Sequence, residues 1–428
     1  MKTLDARSRD LSALEALRHR TFEEVPTEVE DSVRQIMEDV RDRGDVAVVE
    51  HTRKLDCPTF TAEHLPITEE EIQAAYAEVD AAWIGAFRRA RENVQRFQER
   101  AKHHSWLETF DGLVMGHQVT PVRSAGIYTP AKHAPLPSSL LMSAIPARVA
   151  GVERIVLATP PRTDGSVDPT MLVAAAECGV DEAYRIGGAQ AIAALAYGTE
   201  TIEAVVKIVG PGSPWVAVAK KHVFGVVGIE SLAGPSESLI IADRHAQPDL
   251  VAADLLTQAE HTGDNTVILL TDSPDLAAAV QTEVEAQLSE LGRSELTRRS
   301  LEECSLVVVT ETLRQAVAIA NDIAPEHLQI LVQDPFDLLE GIENAGCIFL
   351  GEKAPVPLGD YAAGPSHVLP TYGTARFSSP LSVNDFLVTS SVIYANSDGL
   401  DRLAGDVIEL AEGEGLTAHA EAVRRRQR

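Results

Sequence analysis

The sequence from 233 to 265 reads AGPSESLIIADRHAQPDLVAADLLTQAEHTGDN and determines the predicted fold. Its apolar run 239–242 is typical of a buried strand, and apolar residues recur at helical spacing over 248–261. A strand followed by a helix predicts one unit of an α/β fold. Near the end of the helix, Gln258 and His261 are three residues apart, which places both side chains on one face. They could hold one metal ion, or they could form a polar helix end with a histidine that the helix dipole favours.

The same alternation of strands and helices continues on both sides of this stretch. Predicted strands span 154–159, 183–186, 205–209, 266–270, 306–310, 328–332 and 347–350. Predicted helices span 171–178, 189–197, 215–223, 275–291, 314–323 and 335–345. The two series predict an α/β fold with two Rossmann-like doubly wound lobes, one inserted in the other. A ligand is expected in the cleft between the lobes, near the carboxyl ends of the strands.

Domain boundaries follow from changes in this pattern. A small N-terminal arm covers 1–25, and the first lobe is expected to be discontinuous, from 26–127 and 237–380. The inserted lobe covers 128–236. After residue 380 the alternation stops, leaving a C-terminal helical tail, 381–428, which begins with a strand-like segment. A tail of this length beyond a complete α/β body favours packing on a partner subunit.

Composition limits the class of protein. The 428 residues suffice for two or three domains with a large core. An excess of 64 acidic over 37 basic residues gives a formal charge of -27, which disfavours nucleic acid and anionic membranes as partners. The four cysteines are far apart in sequence, which predicts neither a disulfide framework nor a cysteine zinc site. Because there is no signal-peptide core and no apolar run of about 18 residues, we expect a cytoplasmic location.

Glu326 and His327 are adjacent between a predicted helix and a predicted strand, where side chains project into a cleft. In extended backbone they would point to opposite faces and could do different work. One could activate a water while the other takes a proton from an alcohol, because both pKa values can be tuned toward neutrality. The alternative is an exposed Glu-His turn without a role in catalysis.

Two further places carry side chains that could bind a metal. The glycine-bounded loop 359–367 (GDYAAGPSH) contains Asp360, and the tail segment 412–419 (EGEGLTAH) ends in His419. The latter could equally be a solvated helix residue. Together with Gln258 and His261 these residues offer nitrogen and oxygen ligands without a thiolate, which suits zinc and less well manganese or cobalt.

No G-x-G-x-x-G fingerprint is present. Glycine clusters occur instead at 187–188, 210–212 and 234–236, each after a predicted strand. They could cradle a phosphate or simply turn the chain.

Several long runs occur in order and at separations that resemble the histidinol dehydrogenase family, over nearly the whole chain. They are APLPSSLLMSAIPARVAG, IGGAQAIAALAYGTETI, AGPSESLIIAD, TQAEH, PEHLQI, GDYAAGPSHVLPTYGTARFSSPL and EGLTAH. The resemblance implies a zinc-dependent, NAD-linked, four-electron oxidation of L-histidinol to L-histidine through bound L-histidinal. It implies that zinc is held by Gln258, His261, Asp360 and His419, and that substrate contacts also come from Ser236, His327 and Glu414.

The resemblance also implies roles in the reaction. His327 would take the hydroxyl proton while a hydride passes to a first NAD. Glu326 would then activate a water that adds to the bound aldehyde, and a second hydride would pass to a second NAD. The family forms homodimers whose tails cross between subunits, so Glu414 and His419 would complete the partner's site.

The inserted lobe would bind NAD through Tyr128, Gln190 and Ser213. Two departures from the family pattern lie in this region. Pro130-Ala131-Lys132 stands where the family reads P-G-G, and Ser213 replaces an asparagine, which removes a hydrogen bond worth about 1 kcal/mol. Lys132 could contact the cofactor phosphates and alter the preference between NAD and NADP.

Three other functions remain open. A superfamily relative would keep the zinc and the Glu-His pair but oxidise another primary alcohol, such as a sulfopropanediol, to its acid. A non-catalytic, metal-stabilised dimer is disfavoured by the intact Glu326 and His327. A zinc hydrolase would be excluded if any substrate reduces NAD.

Overall fold

The protein is represented by a computed structural model that describes residues 1–6, 14, 25–131, 134–261, 263–292 and 294–427. The predicted N-terminal arm, 1–25, lies largely outside these residues, as does Lys132. The strands are β1 (Lys2–Asp5), β2 (Trp106–Phe110), β3 (Leu113–Pro121), β4 (Ser124–Tyr128), β5 (Arg154–Thr159), β6 (Glu182–Arg185), β7 (Lys207–Val209), β8 (Gly228–Ile229), β9 (Glu237–Ala242), β10 (Thr266–Thr271), β11 (Leu306–Val309), β12 (His327–Leu331), β13 (Cys347–Leu350) and β14 (Leu387–Ala395).

The α-helices of the described residues alternate with these strands through most of the chain. They are α1 (Thr27–Arg43), α2 (Asp45–Leu55), α3 (Glu69–Ala75), α4 (Ala81–Ala101), α5 (Pro137–Ala150), α6 (Pro169–Glu177), α7 (Gly188–Tyr197), α8 (Pro214–Val223), α9 (Pro248–Ala259), α10 (Pro274–Leu288), α11 (Ser294–Glu303), α12 (Leu313–Ile323), α13 (Phe336–Leu339), α14 (Val356–Tyr361), α15 (Ser397–Gly413) and α16 (Thr417–Arg424). None of them combines the length and apolar character that a membrane crossing requires.

One parallel sheet has the strand order β6-β5-β4-β7-β8. Its strands alternate inward and outward, so that Ile155 and Leu157 join one apolar core while Val156 and Ala158 join the core on the other face. From β4 the chain adds β5 and then β6 on one side. It then returns and adds β7 and β8 on the other side of β4. This reversal creates a crevice between the carboxyl ends of β4 and β7, where doubly wound sheets bind ligands.

The second parallel sheet has the order β1-β11-β10-β9-β12-β13. Strand β1 precedes the whole five-stranded unit in sequence yet pairs with β11 in this sheet. The five-stranded lobe is therefore inserted in the six-stranded lobe, which confirms the predicted fold class of two α/β lobes. Both faces of β9 are covered by apolar residues, which explains the continuous apolar run in its sequence.

The helices of 27–101 pack on the five-stranded lobe, in contrast to the predicted boundary that grouped 26–127 with 237–380. Helices α1 and α2 contact α7, and α4 contacts α5. Strand β4, most of which the predicted boundary also assigned to the first lobe, pairs instead with β5 and β7 of the five-stranded sheet. An amphipathic helix must bury its apolar stripe, but its sequence does not specify which sheet it will cover.

A third sheet is antiparallel, with the order β14-β3-β2, and it carries the tail helices α15 and α16. The strand-like start of the tail agrees with the sequence prediction, and the tail helix is divided between Gly413 and Thr417. Strands β2 and β3 were not predicted, nor was helix α11. The predicted helix 335–345 was too long, since only Phe336–Leu339 is α-helical.

Candidate active site

Glu326 and His327 lie at the amino end of β12. Helix α12 ends at Ala324, which has a left-handed backbone with φ 53°, and Pro325 then prevents the helix from continuing. Such a conformation is strained for a residue other than glycine and is common near functional sites. Both side chains are buried. The pair therefore lies at the amino ends of the strands of this sheet, whereas the sequence predicted a site at the carboxyl ends.

Glu237, at the start of β9, contacts both members of this pair through its backbone. Its N–H donates a 2.8 Å hydrogen bond to Glu326 Oε2, and its carbonyl oxygen lies 3.0 Å from His327 Nδ1. The two side chains consequently approach each other, with 3.5 Å between Glu326 Oε2 and His327 Nδ1. They do not point to opposite faces as predicted, because Glu326 precedes the strand and does not follow its alternation.

The other ring nitrogen of His327 faces Asp360, which lies on α14. His327 Nε2 is 3.7 Å from Asp360 Oδ1 and finds no hydrogen-bond partner among the described residues. Burial disfavours the charged ring, but the carboxylates of Glu326 and Asp360 outweigh this effect and raise the pKa of His327 well above its usual value. The arrangement places one carboxylate beside each imidazole nitrogen.

Gln258, on α9, lies at the same level of the structure as His327. One turn earlier on the helix, Asp254 Oδ2 accepts a 2.7 Å hydrogen bond from Gln329 Nε2, and Gln329 is two residues after His327 on β12. Helix α9 and strand β12 run in opposite directions. Moving one helical turn from Asp254 to Gln258 therefore covers about the same distance, in the same direction, as moving two residues back along the strand from Gln329 to His327. Helices α9 and α14 are also in contact.

The side chain of Gln258 is only 1% exposed, and no described group forms a hydrogen bond with its Oε1. A buried amide oxygen without a partner is costly unless a ligand supplies one. This buried oxygen, on a helix that contacts the helix of Asp360, therefore fits an oxygen ligand for a cation.

The remaining predicted ligands are not gathered with Gln258 and Asp360 in one chain. His261 follows the end of α9 and is exposed, and Glu414 and His419 are exposed on the tail. No cluster of three or more His, Cys, Asp or Glu side chains able to hold a metal occurs among the described residues. Ser236 is half-buried immediately before β9, next to Glu237.

The predicted cofactor residues lie at the crevice of the five-stranded sheet. Tyr128 ends β4, and its Oη accepts a 3.2 Å hydrogen bond from the N–H of Gly188. Burial raises the pKa of Tyr128 to about 12, which keeps the phenol neutral. Gln190 Nε2 lies 3.4 Å from Asp56 Oδ2, while its Oε1 is buried without a partner in the described structure. Ser213 is exposed at the N-cap of α8.

A half-buried histidine connects the two lobes beside this site. His367 Nδ1 lies 2.8 Å from the backbone oxygen of Asp360, and its Nε2 lies 3.1 Å from Ser139 Oγ on α5. Burial lowers the pKa of His367, which favours the neutral ring. A neutral ring that donates to Asp360 and accepts from Ser139 suits both contacts.

Sequence reasoning grouped Glu237 with Ser236 among the residues that resemble the family's histidinol-handling set but gave it no role of its own, and it did not identify Asp56. The available signal for Glu237 was its carboxylate at the start of a fully buried strand, because a buried charge is costly unless other groups stabilise it. Asp56 gave no signal, since it comes from a helical region far away in sequence.

Comparisons with known proteins were made for the whole chain. The sequence profile of the family described as histidinol dehydrogenase matches residues 19–427. The histidinol dehydrogenase of Synechococcus sp. is 48% identical over 97% of this chain and 96% of that protein. The Bacillus subtilis enzyme of the same name is 48% identical, with 96% of each chain covered. The crystal structure of histidinol dehydrogenase from Elizabethkingia anophelis matches with a TM-score of 0.95 and 36% identity, covering 100% of this chain and 98% of that one.

Proposed function

Because the chain belongs to the histidinol dehydrogenase family of NAD-dependent oxidoreductases, we propose that it oxidises L-histidinol to L-histidine in the last steps of histidine biosynthesis. The observation that carries the proposal is the buried Glu326–His327 pair held by the backbone of Glu237. A primary alcohol reaches the acid in two oxidations, with one water added to the intermediate aldehyde. The pair offers one group for each proton transfer. We expect this reaction to take place in the cytoplasm.

His327 is the proposed base for the alcohol step. Its Nδ1 lies 3.0 Å from the carbonyl oxygen of Glu237, a group that can only accept, so Nδ1 carries the proton. Zinc held by Asp360 would offset the carboxylate charge that raises the pKa of His327, so that the ring would be neutral with its lone pair on Nε2, the nitrogen that faces Asp360. Nε2 would take the hydroxyl proton as the carbinol carbon loses its hydride.

Glu326 is the proposed base for the second step. Its Oε2 is held by the N–H of Glu237, which fixes the carboxylate in one orientation. The carboxylate would take a proton from the water that adds to the bound aldehyde, giving the hydrate from which the second hydride leaves. Because both bases are attached to one backbone unit, their spacing is fixed throughout both steps.

We infer that Gln258, His261, Asp360 and His419 hold zinc. The buried, unpartnered Oε1 of Gln258 and the carboxylate of Asp360 support the first part of this set. Zinc would hold and orient the amino alcohol, and NAD would accept the hydrides. Ser236 and Glu414 would add substrate contacts, with His327. Tyr128, Gln190 and Ser213 would hold NAD at the crevice of the five-stranded sheet.

A homodimer with exchanged tails would complete this set. Glu414 and His419 are exposed in a single chain, on a tail that also exposes large apolar side chains. Ile393 is 76% exposed on β14, and Leu410 is 69% exposed on α15. Exposed apolar surface of this kind favours a subunit interface. We propose that each tail delivers Glu414 and His419 to the site of the partner.

The proposal is tested by measuring NADH formation from limiting L-histidinol with excess NAD. The enzyme is assayed as purified, after chelation and after return of zinc. About two NADH per L-histidinol, lost on chelation and restored by zinc, would support the four-electron reaction and the zinc together. If zinc stays bound but L-histidinol gives no NADH, the substrate is another alcohol, and a sulfopropanediol is the first alternative to assay.

A further inference from the structure

A buried ion pair that the proposed reaction does not use lies beneath the turn that joins β7 to α8. Lys220, on α8, and Glu230, directly after β8, approach with 2.6 Å between Nζ and Oε1. The two side chains are 3% and 4% exposed. Burying two charges costs several kcal/mol per ion, and apolar residues in their place are often equally stable or more stable. Stability therefore does not account for the presence of this buried pair.

Both charges also bind the backbone of Gly210. The N–H of Gly210 donates a 2.8 Å hydrogen bond to Glu230 Oε1, and Lys220 Nζ donates a 3.2 Å bond to the Gly210 carbonyl. The three groups form a closed ring that fixes one peptide unit at its donor and its acceptor. Backbone groups of a buried turn need such partners, because the strand ladder has ended there.

Gly210 lies at the crevice where the strand order reverses. It has φ 118°, and a β-carbon at this position would clash with the carbonyl of Tyr128 at the end of β4. The ring of contacts therefore holds the turn directly against Tyr128. Ser213 is three residues farther along the same turn and caps α8, the helix that carries Lys220.

We propose that Lys220 and Glu230 are positioning residues for the nicotinamide dinucleotide. By fixing Gly210 they set the distance between Tyr128 and Ser213, the two sides of the cofactor crevice. The inference rests on the proposed function for the identity of the cofactor, but the contacts of Gly210 are independent of the substrate site. Lys220 and Glu230 themselves are buried beneath the turn and act through it.

The test uses the double variant Lys220→Met/Glu230→Leu of the full-length protein. Its Kd for NAD is measured by titration calorimetry without substrate, and KM for NAD and kcat are measured with saturating L-histidinol. We expect Kd and KM for NAD to rise about tenfold or more, with kcat at saturating NAD and binding of zinc within about twofold of wild type. Unchanged NAD affinity in a folded double variant would overturn the proposal.

A matched control separates positioning from general stability. Arg154 and Glu182 form an ion pair at the amino ends of β5 and β6 in the same sheet, and Arg154 also bonds the Ala204 carbonyl. The variant Arg154→Met/Glu182→Leu should lower the Tm but leave the Kd for NAD unchanged. An equal loss of NAD affinity in this control would mean that the effect is a general weakening of the lobe, and the proposal would be wrong.

A second comparison covers the case in which the double variant does not fold. Glu230→Gln keeps an oxygen acceptor for the Gly210 N–H, whereas Glu230→Leu does not. We expect NAD affinity close to wild type in the Glu230→Gln variant and clearly weaker affinity in the Glu230→Leu variant. Equal affinities would overturn the proposal.

The wild-type assay with L-histidinol is interpreted separately from these variants. If wild type binds NAD but does not oxidise L-histidinol, the proposed function fails while the positioning inference stands.

Discussion

The imidazole Nδ1 of His327 lies 3.0 Å from the carbonyl oxygen of Glu237, across the pairing of β12 with β9. The same residue donates its N–H to Glu326. Backbone groups of paired strands are among the least mobile parts of a protein. Substitutions at 326 or 327 should therefore leave the neighbouring base in place, so that each chemical step can be examined separately.

Glu326→Gln should separate the two oxidations. Glutamine keeps an oxygen that can accept the Glu237 N–H, but it cannot take a proton from water. We expect oxidation of supplied L-histidinal to slow by about 10²- to 10⁴-fold, while the first hydride transfer from L-histidinol, followed in a single turnover, persists. The rates of both reactions are measured by NADH absorbance after rapid mixing.

His327→Gln is the counterpart of this variant. It should slow the first hydride transfer and leave the oxidation of L-histidinal much less affected. If both variants slow both steps equally, the division of roles between Glu326 and His327 is wrong.

Asp360→Asn should weaken zinc binding. The carboxylate faces His327 from α14, and replacing it with a neutral amide removes a charge from the proposed ligand set. We expect at least a tenfold loss of zinc affinity. Metal content after dialysis against graded chelator measures it. Glu260→Gln, directly before His261 but outside the proposed ligands, is the control and should retain zinc. Full zinc retention by Asp360→Asn would remove Asp360 from the site.

Ser213→Asn should improve NAD binding. The family resemblance implies asparagine at this position, and the exposed serine at the N-cap of α8 has a shorter reach. One additional hydrogen bond of about 1 kcal/mol corresponds to roughly a fivefold lower KM for NAD. Steady-state kinetics with saturating L-histidinol measure this, with Ser213→Ala as the control. A KM that does not differ among serine, alanine and asparagine would mean that this side chain does not contact the cofactor.

The parallel sheets were predictable because buried strands have continuous apolar sequences separated by helices. The antiparallel sheet was missed because β2 is exposed along its whole length and shows no apolar alternation. Helix α11 has few apolar residues and was missed for a similar reason. The placement of 27–101 could not be predicted, since the apolar stripe of a helix does not identify its partner.

The candidate site was predicted where its residues are adjacent in sequence. Glu326 and His327 were recognisable as a pair, but their attachment to Glu237 depends on the register of β9 and β12, which the sequence does not give. Gln258 and Asp360 lie on helices α9 and α14, whose contact the sequence does not give. In the proposed dimer the contribution of His419 depends on a second chain, which the contacts of a single chain do not specify.

The crossing of the tail can be tested by mixing subunits. Glu326→Gln inactivates the body of one subunit, and His419→Ala inactivates the tail of the other. Each homodimer should be nearly inactive. In a heterodimer with exchanged tails, the intact body of the His419→Ala subunit receives the intact tail of the Glu326→Gln subunit, which forms one complete site.

Random reassembly of an equal mixture places half of the subunits in heterodimers, each with one complete site of two. We therefore expect about a quarter of the wild-type activity after unfolding and refolding the variants together, and almost none after refolding them separately. If each tail serves its own subunit, both sites of every heterodimer lack one residue and the mixture stays inactive. That result would place His419 in its own subunit's site, and His419 would then have to move from its exposed position to join Gln258 and Asp360.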